Sequence, residues 1–199
     1  MRRTALAILV ASATSGAISG AACGGSNDEP AIDAAVDAPL TGGSVTFRMS
    51  YDSDVPDSIF VQSGTELGGQ GWLTVRTPGG ADLAILDNCG LCNCDSCDPC
   101  PVCGAGQPEV TEIPRGGHLD WTWDGHVFAL ATCASGSNAC EDARVLPAGS
   151  YVAHFCWSFT SDGVGPNHHV GPLTCADEPF MLPDALHAAP VEHALCACG

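Results

Sequence analysis

Six cysteines crowd residues 88–103, which read Asn-Cys-Gly-Leu-Cys-Asn-Cys-Asp-Ser-Cys-Asp-Pro-Cys-Pro-Val-Cys and place Cys89, Cys92, Cys94, Cys97, Cys100 and Cys103 in one short loop. Sulfur at that density ligates an iron–sulfur cluster, holds a zinc or copper ion, or forms disulfides. Cluster sites space their ligands C-x2-C-x2-C-x3-C-P. Cys94, Cys97 and Cys100 follow the first part of that pattern, but Cys103 comes one residue early and Pro101 follows the wrong cysteine. Zinc or copper ligation suits Cys89 with Cys92 and Cys100 with Cys103, since two intervening residues let both sulfurs reach one ion. Disulfides require an oxidising compartment and an even number of partners, and the chain has 13 cysteines.

The odd one is Cys23. It follows a basic start (Arg2, Arg3), the apolar run Ala5 to Ala11 and the small residues Gly20-Ala21-Ala22. This pattern resembles a bacterial lipoprotein signal, which implies removal of residues 1–22, acylation of Cys23 and anchoring in a membrane through lipid. The resemblance is looser three residues before the cysteine, where Gly20 stands in place of an aliphatic residue. Gly24, rather than an acidic residue, follows Cys23. By the sorting rule of enterobacterial lipoproteins, that implies the outer membrane.

With Cys23 assigned to lipid, an even set remains for bridges: Cys89, Cys92, Cys94, Cys97, Cys100, Cys103, Cys133, Cys140, Cys156, Cys175, Cys196 and Cys198. A disulfide framework without cofactor is therefore expected, with a zinc or copper cluster as the alternative. Pairing inside the ladder stays open. Cys133 and Cys140 bracket a turn-rich segment and are expected to staple it. Cys156 is expected to reach Cys175 or the pair Cys196 and Cys198. Each such bridge contributes about 2–4 kcal/mol.

Other candidate chemistry is thinner. Adjacent histidines such as His168-His169 point to opposite sides of an extended chain and chelate poorly; with His187 and His193 they are read as solvated. Tyr51-Asp52-Ser53-Asp54-Val55-Pro56-Asp57 lacks the glycine and distal glutamate of a calcium loop and is read as a polar turn. There is no G-x-S-x-G, phosphate-binding loop, H-E-x-x-H or dinucleotide glycine pattern. The expectation is a non-catalytic binding or structural module.

The chain carries 6 basic and 23 acidic residues, a net −17. Loss of residues 1–22 removes Arg2 and Arg3 and leaves −19 without a single lysine. Such a charge repels nucleic acid and anionic lipid surfaces, so acyl chains must make the membrane contact and a protein or glycan is the expected partner. Residues 23–43, rich in Gly, Ser, Asp, Ala and Pro, cannot bury a core. They read as a self-repelling tether with a mean reach on the order of 25 Å. This Asp-Ala-rich stretch resembles those of surface lipoproteins from myxobacteria and their relatives.

What must hold the cysteines in place is residues 44–199, whose dominant pattern has period two. Ser44 to Tyr51 puts Val45, Phe47, Met49 and Tyr51 on one face; His118 to Asp124 puts Leu119, Trp121 and Trp123 inward; Tyr151 to Phe159 aligns Tyr151, Ala153, Phe155, Trp157 and Phe159. Trp121 and Trp157 are expected to pack in the core. Shorter strands are expected at Ser58–Gln62, Trp72–Arg76, Leu83–Leu86, Glu109–Ile113, Val127–Ala131 and Val191–Ala197. Pro-Gly turns separate them and no helical stripe is present, so one all-β domain is expected. It should be an antiparallel sandwich with a Cys-rich, disulfide-stapled loop at 88–104.

Pro114-Arg115-Gly116-Gly117, then Trp121-Thr122-Trp123-Asp124-Gly125, then Leu146-Pro147-Ala148-Gly149-Ser150-Tyr151 resembles a pattern of immunoglobulin-like modules. These occur in the Bacillus-type proteinase-inhibitor (BsuPI-like) domain and in flagellar hook-capping proteins. The likeness spans roughly residues 110–160, with Cys133 and Cys140 inserted between its two halves. It implies an Ig-like β-sandwich and, as a further alternative, extracellular proteinase inhibition.

Overall fold

The computed structural model describes residues 44–53, 56–64, 70–86, 91–95, 97, 106–134, 138–182, 185 and 189–196. The signal segment, Cys23 and the tether lie outside the described residues, as do Cys89, Cys100, Cys103, Cys198 and His187. In chain order the strands are β1 (Val45–Asp52), β2 (Ser58–Gly64), β3 (Leu73–Arg76), β4 (Asp82–Leu83), β5 (Cys92–Asn93), β6 (Glu109–Pro114), β7 (Gly117–Trp123), β8 (His126–Thr132), β9 (Ala139–Val145), β10 (Gly149–Trp157), β11 (Gly165–Pro166), β12 (Thr174–Leu182) and β13 (Val191–Cys196). Among the described residues there is no helix.

Alternation in β1 decides its place. Val45, Phe47 and Met49 have no accessible surface and Tyr51 almost none, while the intervening Thr46, Arg48 and Ser50 face outward. β1 is the middle strand of a sheet ordered β13-β1-β7, antiparallel to β7 and parallel to β13, with Phe47 opposite Trp121 on one side and Val191 on the other. The Phe47 ring lies 5.4 Å from Phe180 and 6.5 Å from Phe155, both edge-on, and 6.1 Å from Trp121, centroid to centroid. Phe155 and Phe180 belong to a second sheet, ordered β12-β10-β3-β4, so the inner faces of the two sheets share one core. Edge-on and offset ring pairs of this kind add about 0.5–1.5 kcal/mol each beyond burial.

A third sheet, β11-β6-β2, joins the second through Phe60 and Ser158, which exchange backbone hydrogen bonds of 2.8 Å in both directions. The turn between β6 and β7 needs a left-handed residue and has Gly116 at φ 74°; the turn from β7 to β8 has Gly125 at φ 83°. On the outer face of β1, Arg48 donates two hydrogen bonds of 2.7 Å to Asp120, its direct neighbour on β7. That contact holds the Asp120 carboxyl below the ordinary carboxylate range.

The fourth sheet, β5-β9-β8, projects from the core: Leu130 is 73 % exposed, and a small separate cluster forms around Cys92, Cys133 and Cys140, with Cys94, Cys97 and Ala131 against it. Here the structure departs from the sequence reading. Segment 139–145, where no strand is expected, is strand β9, in seven-residue register with β8. That register sets Cys140 opposite Ala131 and leaves Cys133 beyond the strand end, its N–H bonded to Asn138 O at 3.0 Å. Neither sulfur takes the other as partner. Cys140 pairs with Cys94 and Cys133 with Cys97.

Strand β12 was not expected, because Pro179 interrupts its pattern. It is tolerated because β12 is an edge strand of its sheet, with one side unpaired. The expected strand Leu83–Leu86 shrinks to Asp82–Leu83, since the Ala84 carbonyl turns to accept the Phe128 N–H at 2.8 Å. Phe159 faces solvent, 48 % exposed, because β10 ends at Trp157 and Ser158 takes the bridge to Phe60.

Two outcomes are expected. Phe47→Ala lowers the unfolding free energy by roughly 3–5 kcal/mol, whereas Thr46→Ala on the outer face changes it by less than ~1 kcal/mol, both read from urea titration. Asp120 has a lowered folded pKa, so its stabilising contribution is present above its unfolded value, ~3.9, and disappears as pH falls through the folded value. The stability gap between the wild type and Asp120→Asn should therefore close on acidification; a gap constant down to the acid transition refutes it.

Candidate functional site

Two places on this scaffold gather side chains with chemistry. The first is a cleft of about 420 Å³ lined by Ile85, Leu86, Trp121, Thr122, Trp123, Asp124 and Phe128. Strand β7 supplies the tryptophans, the Asp124-Gly125 turn supplies the carboxylate, and β8 brings Phe128 across. The walls are pinned. Trp123 Nε1 donates to His126 O at 2.7 Å, His126 N donates to Asp124 Oδ1 at 3.1 Å, and Leu146 N reaches Gly125 O at 2.9 Å. Trp121 stacks on Phe47 and is half-buried, while Trp123 beside it is fully buried. The half-buried rings of Trp121 and Phe128 and the Asp124 carboxylate suit a ligand with one apolar face and hydroxyls, while the Thr122 hydroxyl turns to Thr46 on the outer face of β7, 3.5 Å away.

The second place is the outer face of β10 and β12. Register puts His154 opposite Asp177 and Cys156 opposite Cys175, so the four side chains share one patch. Cys156 and Cys175 form a disulfide, and His154 Nδ1 lies 2.5 Å from Asp177 Oδ1. Arg76 of β3 extends the row, with NH1 3.9 Å from Asp177 and Nε 2.7 Å from Asp82. The inner face carries a separate pair: His193 Nδ1 meets Glu178 Oε1 at 2.7 Å, and its ring stacks on Trp157 at 5.0 Å.

Three disulfides join described residues: Cys94–Cys140, Cys97–Cys133 and Cys156–Cys175. Cys92 is disulfide-bonded as well. Of the four cysteines in the metal alternative, Cys92 is thus oxidised, and Cys89, Cys100 and Cys103 lie outside the described residues. Two groups have ligand atoms close enough for one ion, within 4.8 Å: Cys97, Cys133 and Cys140, and His154, Cys156 and Cys175. In both, the sulfurs are spent on disulfides. Cys196 sits half-buried at the end of β13, opposite Asp52, and Cys156 takes Cys175 instead.

His168 and His169 do not diverge as an extended chain requires. Both turn to Asp162, whose Oδ1 accepts the His169 N–H at 2.7 Å and lies 3.2 Å from His168 Nδ1. The backbone hydrogen bond from His169, with help from His168, holds the Asp162 carboxyl below its ordinary range. Both rings remain exposed at the surface.

Sequence reading missed the pair His154 and Asp177, because Asp177 lies on the strand that Pro179 disguised. Cross-strand alternation in Thr174–Leu182 was the available signal. The cleft was half visible in Trp121-Thr122-Trp123-Asp124, but Phe128 joins it only through the β7–β8 turn. Comparison with protein-family models, curated proteins and solved structures yields no match.

Proteolysis without reduction, followed by mass spectrometry, should recover Cys94 linked to Cys140, Cys97 to Cys133 and Cys156 to Cys175. A peptide pair joining Cys133 to Cys140 contradicts the register of β8 and β9.

Proposed function

We propose that this chain is an exported, lipid-anchored, non-catalytic binding module. Cys23 carries the lipid, residues 23–43 hold the domain off the membrane, and an Ig-like β-sandwich presents the cleft at Trp121 to a neutral carbohydrate. The observation that carries the reading is the cleft itself, lined by the half-buried rings of Trp121 and Phe128 with the Asp124 carboxylate beside them. Neutral sugar is favoured over an anion because each arginine among the described residues, Arg48, Arg76, Arg115 and Arg144, is engaged by an aspartate.

The Ig-like part rests on two supports. Tyr151 Oη donates to Pro147 O at 2.9 Å, the tie that anchors a tyrosine corner in such sandwiches. Burial pushes the Tyr151 hydroxyl pKa up, which keeps it a donor. The inner faces of the sheets built on β1 and β10 also share one core. Export is supported by the disulfides, which persist in oxidising compartments. The zinc or copper alternative needs thiolates, and Cys92, one of its four ligands, is disulfide-bonded; proteinase inhibition rests on the sequence resemblance alone.

Titration of the disulfide-intact domain against a panel of neutral oligosaccharides tests the reading. At least one should bind, and Trp121→Ala should weaken it by ~10-fold or more with the melting transition retained. No binding across the panel refutes the carbohydrate, and unchanged binding by the variant refutes the cleft. Mass spectrometry of the mature N-terminus should find Cys23 diacylated or triacylated; an unmodified Cys23 removes the anchor.

A further inference from the structure

We infer that Cys156–Cys175 is a thiol–disulfide exchange site, entered at Cys175 and served by His154 held by Asp177. The cystines differ in their surroundings. Cys94–Cys140 and Cys97–Cys133 close the small core at β5-β9-β8, where Cys140 has no accessible surface, Cys133 has 5 %, Cys94 and Cys97 are half-buried, and the ligand atoms grouped at Cys97, Cys133 and Cys140 include no histidine among the described residues. Cys156–Cys175 joins β10 to the edge strand β12, with Cys156 buried beneath and Cys175 exposed. An incoming thiolate can therefore reach one sulfur of this bridge and not the other, which fixes the direction of attack.

His154 stands two residues before Cys156 on the same face, and Asp177 two residues after Cys175. A ring nitrogen of His154 lies within 4.8 Å of both sulfurs, and Nδ1 contacts Asp177 at 2.5 Å. A nucleophile site, a proton carrier beside it and a carboxylate that orients the carrier make up the arrangement by which thiols are activated. The charged groups facing His154 are Asp177 on β12, Arg76 on β3 and, through Arg76, Asp82 on β4. Asp177 holds the ring in place, and Arg76 is itself paired with Asp82.

In the forward step a thiolate RS⁻ attacks Cys175 Sγ. The bond RS–Cys175 forms, the Cys156–Cys175 bond breaks, and its electron pair leaves on Cys156, which takes a proton from the His154 imidazolium. A second thiolate attacks the RS sulfur of the mixed disulfide and releases RSSR and the Cys175 thiolate. Two electrons thus pass from two thiols to the cystine. Cys156 is protonated through His154 and Cys175 by solvent. The co-reactant is a small thiol or an exposed protein dithiol, and the reverse sequence oxidises it.

The test uses the oxidised domain and limiting dithiothreitol, with timed alkylation and mass spectrometry to locate each freed thiol. Cys156 and Cys175 should be alkylated at least ~10-fold faster than Cys94, Cys97, Cys133 and Cys140. Rates expressed per dithiothreitol thiolate should fall as pH rises from about 5 to about 8. His154→Gln should flatten that profile and slow the reaction several-fold at pH 6, and Asp177→Asn should act in the same direction more weakly. Equal rates at all three bridges, or a flat wild-type profile, overturn the proposal. The ordering and the profile come from the wild type, so a variant that fails to fold does not shield it.

Discussion

Phe47 is the contact on which the architecture depends. It stands in the middle of the central strand of one sheet and meets Phe155 and Phe180 of the other, so that a single ring is shared by both inner faces. Its ring also backs one wall of the cleft: Trp121 lies on Phe47, Trp123 lies 6.2 Å from it, and the turn that offers Asp124 follows directly. Trp121 is thus backed by the shared core rather than by a loop.

The projecting sheet follows a different principle. It leaves Leu130 and Val145 in solvent. Its order comes from sulfur: Cys94 N reaches Glu141 O at 3.0 Å, Cys97 N reaches Asn93 O at 2.8 Å, and the two bridges then fix the loop onto β8 and β9. Cys97 adopts φ 54°, a left-handed backbone that a branched or bulky residue resists. Covalent closure substitutes here for a hydrophobic face too small to fold unaided.

How much of this was legible in the sequence follows from which constraints are local. Alternation in β1, β7 and most of β10 is a local property, and it named the buried faces through Val45, Phe47, Met49, Tyr51 and Ala153. Trp157 was placed in the core and is there; Trp121, placed there too, is half-buried and also forms the cleft wall. Charged residues hid β9, where Glu141, Asp142 and Arg144 belong to a hairpin with solvent around it. Pro179 hid β12, and with it the partnership of His154 and Asp177. The cysteine connectivity was not legible, because it depends on a register between β8 and β9 that only the folded chain defines. The bond between Cys156 and Cys175 was within reach, since two strong candidates were few.

The parallel pairing of β1 with β13 couples Phe47 to Val191 and Asp52 to Cys196. Residues so distant along the chain pay a large closure entropy before their contact returns anything. A polypeptide emerging with β1 foremost keeps one edge of its central strand open until Val191–Cys196 has been synthesised. Until that moment the sheet β13-β1-β7 is one strand short and β1 stays open along that edge.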